Sequence, residues 1–406
     1  MRETSRWEFW VDRGGTFTDV VGKGPDGSLR TLKLLSENPH QYDDAAVEGI
    51  RRLLGLSVGE RVTPERVASV KMGTTVATNA LLERRGEPTL LVITQGFADA
   101  LRIGYQERPD IFARHIRLPE QLYAGVTEAR ERIGADGTVV VPLDEDDLRA
   151  SMQAAFDSGL DSVAIVFLHS YNHPEHERRA AALAREVGFG QISVSHEVSP
   201  LMKLVGRGDT TVVDAYLSPI LRRYVDQVAA QMPGVPLKFM QSSGGLTDAR
   251  AFQGKDAILS GPAGGVVGMV RTAELARDDL ETDQVIGCDM GGTSTDVSHY
   301  AGEFERSFET QIAGVRMRAP IMSIHTVAAG GGSVTEFDGA RLRVGPRSAG
   351  AYPGPKSYRH GGPLTVTDAN VMLGKLQPRF FPPVFGRDGN EPLDADIVRE
   401  RFTALA

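Results

Sequence analysis

The sequence lacks the features that would place the protein outside the cell, in a membrane or on nucleic acid. Its 406 residues include a single cysteine, so no internal disulfide can form and a reducing compartment is expected. No apolar run is long enough to span a bilayer, and the first ten residues contain no signal-peptide core. The net charge of −8 argues against a nucleic-acid-binding surface. The composition predicts a soluble, cytoplasmic globular protein with no nucleic-acid or membrane partner.

The single cysteine, Cys288, stands at the end of the apolar run Val285–Cys288. Free cysteine is among the most buried residue types in proteins. We therefore expect a buried, structural thiol at this position.

The clearest feature that is present is a repeated phrase. Residues 12–20 read DRGGTFTDV and residues 289–297 read DMGGTSTDV, each after a short apolar run. Such a pattern predicts a strand that enters a tight glycine turn. Paired glycines leave backbone N–H groups uncovered for an anion, and the flanking carboxylates can hold a divalent cation. Two copies so far apart predict two half-sites that close on one polyphosphate and its metal.

Strand and helix patterns alternate along the rest of the chain, which predicts the α/β class. Strands are expected at residues 8–11, 19–22 and 29–34, and a long helix at residues 208–232 in which Pro219 could introduce a break. A dinucleotide fingerprint of the G-x-G-x-x-G type is absent, so a Rossmann cofactor is not expected. The last helix, residues 394–406, reaches the final residue without a capping signal, which suggests an incomplete chain.

A strand pair with a D-x-G-G-T turn resembles the phosphate-binding element of the actin/Hsp70/sugar-kinase superfamily, which has one such element in each lobe. The wider phrasing resembles the hydantoinase A/5-oxoprolinase family, and this resemblance covers essentially the whole chain in order. It is carried by residues 11–20, 73–82, 103–109, 167–171, 240–246, 260–265, 289–297 and 329–333.

This resemblance implies a two-lobed actin/Hsp70-like ATPase fold with duplicated ribonuclease-H-like lobes. The lobes would be an N-terminal lobe at residues 1–200 and a catalytic lobe at residues 201–406. The implied activity is ATP-dependent phosphorylation and hydrolytic ring opening of a small cyclic amide or imide, with hydantoin first and 5-oxoproline second. ATP, Mg²⁺, a hydantoinase B-type partner subunit and an oligomer are expected with it. The alternatives are a β-type subunit of a ketone carboxylase, a small-molecule kinase, and a nucleotide switch with no small substrate.

The resemblance also assigns roles to residues of the repeated phrase. Asp12 and Asp289 open the turns and would hold Mg²⁺, while Asp19 and Asp296 close them, and Asp19 would orient the acceptor or take a proton. The alternative for each aspartate is a turn carboxylate that only accepts local N–H groups. Phosphate would be bound by Gly14, Gly15, Thr16, Gly291, Gly292 and Thr293, and adenosine would pack on Gly330, Gly331 and Gly332.

Further candidates lie outside the repeat. Thr74, Thr75 and Asn79 open a predicted helix, as an anion or carbonyl site or as a plain helix cap. Arg102 and Arg108 lie in an irregular charged stretch, where they would pair with a substrate carboxylate or remain in solvent.

Two clusters have competing interpretations. The glycine-rich helix start at residues 260–268 serves either packing between lobes or phosphate binding. His169, His173 and His176 suggest a metal site, but they need not share a helix face and no fourth ligand is near, so a structural role is favoured.

Overall fold

The computed structural model describes residues 6–57, 59–106, 111–116, 118–276 and 284–405. The strands in these ranges are β1 (Trp7–Arg13), β2 (Phe17–Lys23), β3 (Leu29–Leu35), β4 (Val67–Thr74), β5 (Thr89–Thr94), β6 (Tyr123–Ala129), β7 (Arg132–Ile133), β8 (Val139–Val141), β9 (Ser162–Val166), β10 (Gln191–Val194), β11 (Leu237–Met240), β12 (Leu246–Asp248), β13 (Gln284–Met290), β14 (Thr295–Ala301), β15 (Arg306–Ser307), β16 (Thr310–Ile312), β17 (Val315–Met317), β18 (Ile321–Met322), β19 (Ile324–Val327), β20 (Ser333–Phe337) and β21 (Leu342–Ser348). The helices are α1 (Ala45–Leu54), α2 (Val76–Leu82), α3 (Ala100–Ile103), α4 (Glu145–Asp157), α5 (Glu175–Val187), α6 (Ser195–Val198), α7 (Leu204–Gln231), α8 (Gly254–Ala257), α9 (Ser260–Leu275), α10 (Val366–Met372) and α11 (Ala395–Leu405).

The first sheet is built around the first copy of the repeat. Its six strands run in the order β12-β11-β4-β1-β2-β3, with β1 antiparallel to β2 and parallel to β4. Side chains alternate along β1, so that Phe9 and Val11 are buried while Trp10 is 36% exposed. Helix α1 covers the buried face; it begins after Asp44, whose carboxylate accepts the Val47 N–H. The strands predicted at residues 8–11, 19–22 and 29–34 are confirmed as β1, β2 and β3.

The second sheet is parallel throughout and is covered on both faces. Its strands run in the order β10-β9-β5-β6. Along β5, Leu90 and Val92 pack against α4 and α5, while Leu91 and Ile93 pack against α3 and α7. A strand buried on both sides accounts for the continuous apolar run in the sequence.

Helix α7 lies between the two sheets and is continuous through Pro219, so the break considered from the sequence is absent. Its Val213 contributes to the core of the first sheet and its Val212 to that of the second. A proline leaves the carbonyl four residues earlier without a helical partner. Here the Ala215 carbonyl accepts the Ser162 hydroxyl at 2.7 Å. A residue distant in sequence therefore satisfies the group that would otherwise favour a break.

The second copy of the repeat forms a smaller, three-stranded sheet in the order β13-β14-β19. A Cβ placed on Gly287 would touch the Met269 sulfur of α9 at 2.5 Å, so this face of β13 is covered. Ile286 and Cys288 point the other way, where Ile286 is 73% exposed and the Cys288 thiol is also exposed. The prediction of a buried Cys288 is therefore wrong, because no described residue covers the outer face of β13.

The C-terminal segment packs back onto the first sheet. Tyr358, Val371 of α10 and Phe385 form one apolar cluster with Leu35 of β3 and Phe17 of β2. The Phe17 ring meets those of Tyr358 and Phe385 edge-on, at centroid distances of 6.1 and 6.3 Å. None of the helices in the described part of the chain is both long and apolar enough to cross a bilayer.

Candidate active site

The two repeated phrases fold into the same hairpin with the same register. Asp12 pairs with Asp19 across β1 and β2, and Asp289 pairs with Asp296 across β13 and β14. Both turns are closed by equivalent hydrogen bonds. Gly14 N–H donates to the Phe17 carbonyl at 3.0 Å, and Gly291 N–H donates to the Ser294 carbonyl at 2.9 Å. The repeat in the sequence is thus a repeat in backbone structure.

The two turns lie face to face and contact each other. A Cβ placed on Gly15 would lie 3.5 Å from the Thr293 hydroxyl oxygen, and one placed on Gly292 would overlap the Thr16 hydroxyl. The Thr16 hydroxyl is buried and has no hydrogen-bond partner within the described residues. A buried polar group without a partner is unusual in a native protein and is commonly explained by a bound molecule or water. The phosphate-binding candidates of both phrases are therefore brought together.

The third glycine-rich segment supports the second turn from behind. Gly331 and Gly332 donate their N–H groups to the carbonyls of Gly291 and Gly292 at 2.9 and 2.6 Å. Gly330 N–H is also taken, by the Ser333 hydroxyl at 3.0 Å. These amides are hydrogen-bonded inside the protein and offer no N–H donor to a ligand, and the packing of adenosine on this segment stays a prediction.

The aspartates of the two hairpins form one electrostatic group. The pKa of Asp12 is raised, first by the surrounding protein and then by the charges of Asp19 and Asp289, while Lys33 lowers it. The Asp12 residue is exposed, yet enough protein surrounds its carboxylate to weaken its hydration. The pKa of Asp296 is likewise raised by burial and by the charge of Asp289, against a hydrogen bond from Thr326.

Neither opening aspartate behaves as an ordinary turn carboxylate. Within the described residues, the carboxylates of Asp12 and Asp289 accept no N–H group of their own turns, whereas Asp26 accepts the Ser28 N–H at 3.0 Å. Both residues are exposed, so two carboxylates that accept no N–H group of their described turns are available to a cation. No group of three or more His, Cys, Asp or Glu side chains in the described ranges is arranged to hold a metal ion by itself.

Asp12 is also flanked by two glycines from other elements. A Cβ on Gly73, its partner on β4, would lie 3.4 Å from the Asp12 carboxylate, and one on Gly261 at the start of α9 would lie 3.6 Å away. The hydroxyl of Ser260 donates to the Thr74 carbonyl at 2.9 Å. The start of α9 therefore packs against the β4–α2 turn and also reaches the aspartate, so both interpretations of residues 260–268 remain open.

The threonines of the β4–α2 turn face the first hairpin. The Thr75 hydroxyl donates to the Arg13 carbonyl at 3.3 Å, and the Asn79 amide reaches the Thr75 hydroxyl at 3.5 Å. Thr75 precedes α2 without a side-chain cap, while the Thr74 hydroxyl accepts the Val76 N–H at 3.3 Å. Thr75 is therefore the N-cap residue but not a capping side chain, and the hydroxyl of Thr74, one residue earlier, accepts the first N–H of the helix.

Lys33 is a charged residue of this region that sequence reasoning missed. It lies directly opposite Asp19 on the neighbouring strand, and its ammonium nitrogen is 2.5 Å from the Asp19 carboxylate. Strand β3 was predicted, but the lysine carried no motif. The register between β2 and β3 is the signal that would have revealed it.

Arg102 lies in a different part of the molecule. It lines a cavity of about 40 Å³ together with Tyr123, Asp209 and Arg316. Asp209 and Tyr224 are both on α7, 15 residues and about 22 Å apart along the axis. The Tyr224 ring centroid is 5.3 Å from the guanidinium carbon of Arg13, beside the first turn. Arg102 is thus not brought to the turns, and Arg108 lies outside the described residues.

The three histidines do not converge on a shared point. His169 bonds the Ile133 carbonyl through Nδ1 at 2.7 Å, and His176 bonds the Glu131 carboxylate through Nδ1 at 2.8 Å. His173 reaches the Ala135 carbonyl at 3.3 Å. Each ring has its own protein partner, which favours the structural role.

Comparisons with known proteins agree with this geometry. The profile of the Hydantoinase/oxoprolinase family matches residues 207–406, and that of the Hydantoinase/oxoprolinase N-terminal region matches residues 8–188. The chain is 46% identical to 5-oxoprolinase 1 of Arabidopsis thaliana over 98% of its own length, but spans only 34% of that protein.

Two solved structures share the fold. One is acetone carboxylase in a nucleotide-free form, with a TM-score of 0.79 and 25% identity over 98% of this chain and 58% of that one. The other is the ATP-dependent caprolactamase of Pseudomonas jessenii, with a TM-score of 0.71 and 34% identity over 91% of this chain and 55% of that one. The predicted α/β ATPase-type fold is confirmed, and the chain belongs to the hydantoinase/oxoprolinase family.

Proposed function

We propose that this chain forms the nucleotide-binding part of an enzyme that uses ATP to open a small cyclic amide. The observation that carries the proposal is the contact between the two glycine turns, Gly15 against Thr293 and Gly292 against Thr16. The Gly14 and Gly291 N–H groups close their own turns, so it is the other backbone N–H groups and the threonine hydroxyls of the two hairpins that would bind a triphosphate placed against them. The hydroxyl of Thr16, which has no partner among the described residues, would find its acceptor there.

Asp12 and Asp289 would hold Mg²⁺ between the turns. Mg²⁺ in phosphate sites usually takes one or two carboxylates, the rest of its ligands being phosphate oxygens and water. The two open carboxylates fit this requirement. The pKa of Asp12 is raised first by burial and then by the charges of Asp19 and Asp289, and a cation would relieve that repulsion. The ion, when bound, neutralises negative charge on the triphosphate.

The reaction we propose couples the hydrolysis of ATP to the hydrolysis of the cyclic amide. The amide oxygen attacks the γ-phosphorus, a new P–O bond forms, and the bond to the ADP oxygen breaks. Water then adds to the activated carbon, the C–N bond breaks with a proton passing to nitrogen, and an acyl phosphate remains. A second water releases phosphate and a carboxylate, so one ATP and two waters are consumed for each ring. The turns position the γ-phosphate for in-line attack.

A five-membered lactam of the 5-oxoproline type is our first choice of substrate. The supporting observations are the names of the relatives: 5-oxoprolinase 1 at 46% identity, and Caprolactamase subunit alpha of Pseudomonas jessenii at 35%. Hydantoin, placed first from the sequence, moves to second. The caprolactamase chain is named as a subunit, which supports the expectation of a B-type partner chain here. A ketone carboxylase role rests on the acetone carboxylase likeness at 25% identity and ranks below both.

Product analysis tests this function. The purified protein is incubated with ATP and Mg²⁺ plus 5-oxoproline, hydantoin, or acetone with bicarbonate, each with and without a B-type partner chain. We expect free phosphate and glutamate in a 1:1 ratio from 5-oxoproline. A stable phosphoester would indicate a kinase, a carboxylated ketone would indicate a carboxylase, and slow ATP turnover indifferent to all three compounds would indicate a switch.

A further inference from the structure

We propose that Lys33 is a further catalytic residue, whose ammonium group binds the phosphoryl group during its transfer. This inference rests on the proposed function, because it needs a triphosphate between the two turns. No motif points to Lys33, and its assignment comes from position alone.

The sheet places Lys33 at the base of the first turn. Lys33 and Asp19 are direct partners across β3 and β2, and Asp19 is the direct partner of Asp12 across β2 and β1. The three residues therefore form one row across three strands. The ammonium nitrogen also lies 5.0 Å from the centroid of the Phe17 ring, which supports the long side chain in this direction.

The charge of Lys33 acts on more than its ion-pair partner Asp19. Asp12, Asp19, Asp289 and Asp296 share one region, and the charge of Lys33 acts on Asp12 as well as on Asp19. Transfer of a phosphoryl group spreads negative charge over the moving oxygens, and a fixed cation stabilises that charge. A lysine supplies it as a compact point charge.

The ion pair with Asp19 is loose enough to be exchanged. The side chains of Lys33 and Asp19 are 37% and 46% exposed. Exposed pairs of this kind contribute little to stability. The ammonium group can therefore leave the Asp19 carboxylate for a phosphate oxygen, and Asp19 keeps it close to the turn until the nucleotide arrives.

The same sheet contains a matched control. Lys71 on β4 pairs with Glu8 on β1 at 3.1 Å, and its ammonium lies 4.5 Å from the centroid of the Trp10 ring. It is thus also a cross-strand lysine with a carboxylate and an aromatic ring. Glu8 is four residues from Asp12, about 13 Å along the strand and away from the turn.

The test compares Lys33→Met, Lys33→Arg and Lys71→Met in the complete enzyme. Methionine keeps an unbranched stem over the ring and removes the charge, so the fold is expected to survive in both Met variants. We expect Lys33→Met to lower kcat for lactam-dependent ATP turnover about 100-fold, with the KM for ATP changed less than about threefold. Lys33→Arg should recover at least about tenfold of that loss, and Lys71→Met should match the wild type.

The outcomes separate the two proposals. Equal kcat in Lys33→Met and Lys71→Met, with an active wild type, would show that Lys33 only pairs with Asp19 and would overturn this inference while leaving the proposed function intact. A wild type without lactam-dependent ATP turnover would overturn both. A rise in KM for ATP without a fall in kcat would also overturn it, because the lysine would then bind only the ground state.

Discussion

The two hairpins share their phrase, their register and their turn hydrogen bond, but not their surroundings. In the first, β4 pairs with the outer edge of β1, and Phe9 is fully buried. In the second, no strand in the described part of the chain pairs with the outer edge of β13, and Ile286, the equivalent of Phe9, is 73% exposed. The repeated phrase therefore determines the turn, whereas the stability of each hairpin depends on the residues that pack against it.

The equivalence of the two hairpins would be contradicted most directly if Asp12 and Asp289 differed in function. We expect Asp12→Asn and Asp289→Asn each to lower lactam-dependent ATP turnover at least about 1000-fold, because each removes one of the two proposed anionic ligands of the metal. Asp26→Asn is the control, since Asp26 accepts only groups of its own turn. Turnover assays at saturating ATP measure the effect. Activity in either variant close to that of Asp26→Asn would remove that aspartate from the site.

Substitutions at the equivalent positions 9 and 286 should differ sharply in their effect on the free energy of unfolding. Phe9→Ala empties a fully buried site and should lower the free energy of unfolding by about 3–5 kcal/mol. Ile286→Ala changes an exposed side chain and should cost less than about 0.5 kcal/mol. Urea unfolding followed by circular dichroism measures both. Similar costs would mean that β13 is covered in the native protein.

The contact between the turns is itself asymmetric. A Cβ on Gly292 overlaps the Thr16 hydroxyl, whereas one on Gly15 only touches that of Thr293. Gly292→Ala should therefore lower the free energy of unfolding by about 1–3 kcal/mol, and Gly15→Ala by less than about 0.5 kcal/mol. In a Thr16→Ala background, the cost of Gly292→Ala should fall, which a double-mutant cycle detects. An unchanged cost would mean that the turns are apart in solution.

The smallest expected effect is a pH dependence at Asp12. Its folded-state pKa is raised above the ordinary value of 3.8 by burial and by Asp19 and Asp289. The folded state then holds the proton more tightly than the unfolded state, so stability is greatest below the ordinary pKa and falls as pH rises through the raised pKa. Without nucleotide or metal, Asp12→Asn should therefore gain stability relative to wild type as the pH rises from about 4, the ordinary pKa of the group. Urea unfolding across this range gives the difference, and a constant difference would contradict the shift.

Much of the site could be predicted because each hairpin is formed by residues that are contiguous in the sequence. A glycine pair between two strand-like runs is a short-range hairpin signal, so the phrase itself reveals both hairpins and their cross-strand aspartate pairs. The contact of the turns followed from their duplication. The division into lobes at residue 200 stays a prediction, and the first sheet takes β11 and β12 from beyond that residue.

What escaped prediction depends on partners distant in sequence. Ser162 satisfies the carbonyl that Pro219 leaves open, and it lies on a strand of the other sheet. Lys33 becomes part of the site only through the register of β3, and Cys288 is exposed because the outer face of β13 is uncovered. The assignment of Arg102 to the substrate stays a prediction, since the cavity that it lines lies away from the turns.

The glycine-rich segment behind the second turn, residues 330–332, links that turn to α10 and through α10 to the first hairpin. Gly331 donates to Gly291 and accepts from the backbone N–H of Thr367, in the first turn of α10. Helix α10 in turn rests through Val371 on the cluster that contains Phe17 of the first phrase. The chain thus forms a closed loop of contacts from one turn through α10 to the other. We expect a ligand that changes the spacing of the turns to shift α10 as well, so a fluorescent probe on α10 should report occupancy without touching the ligand.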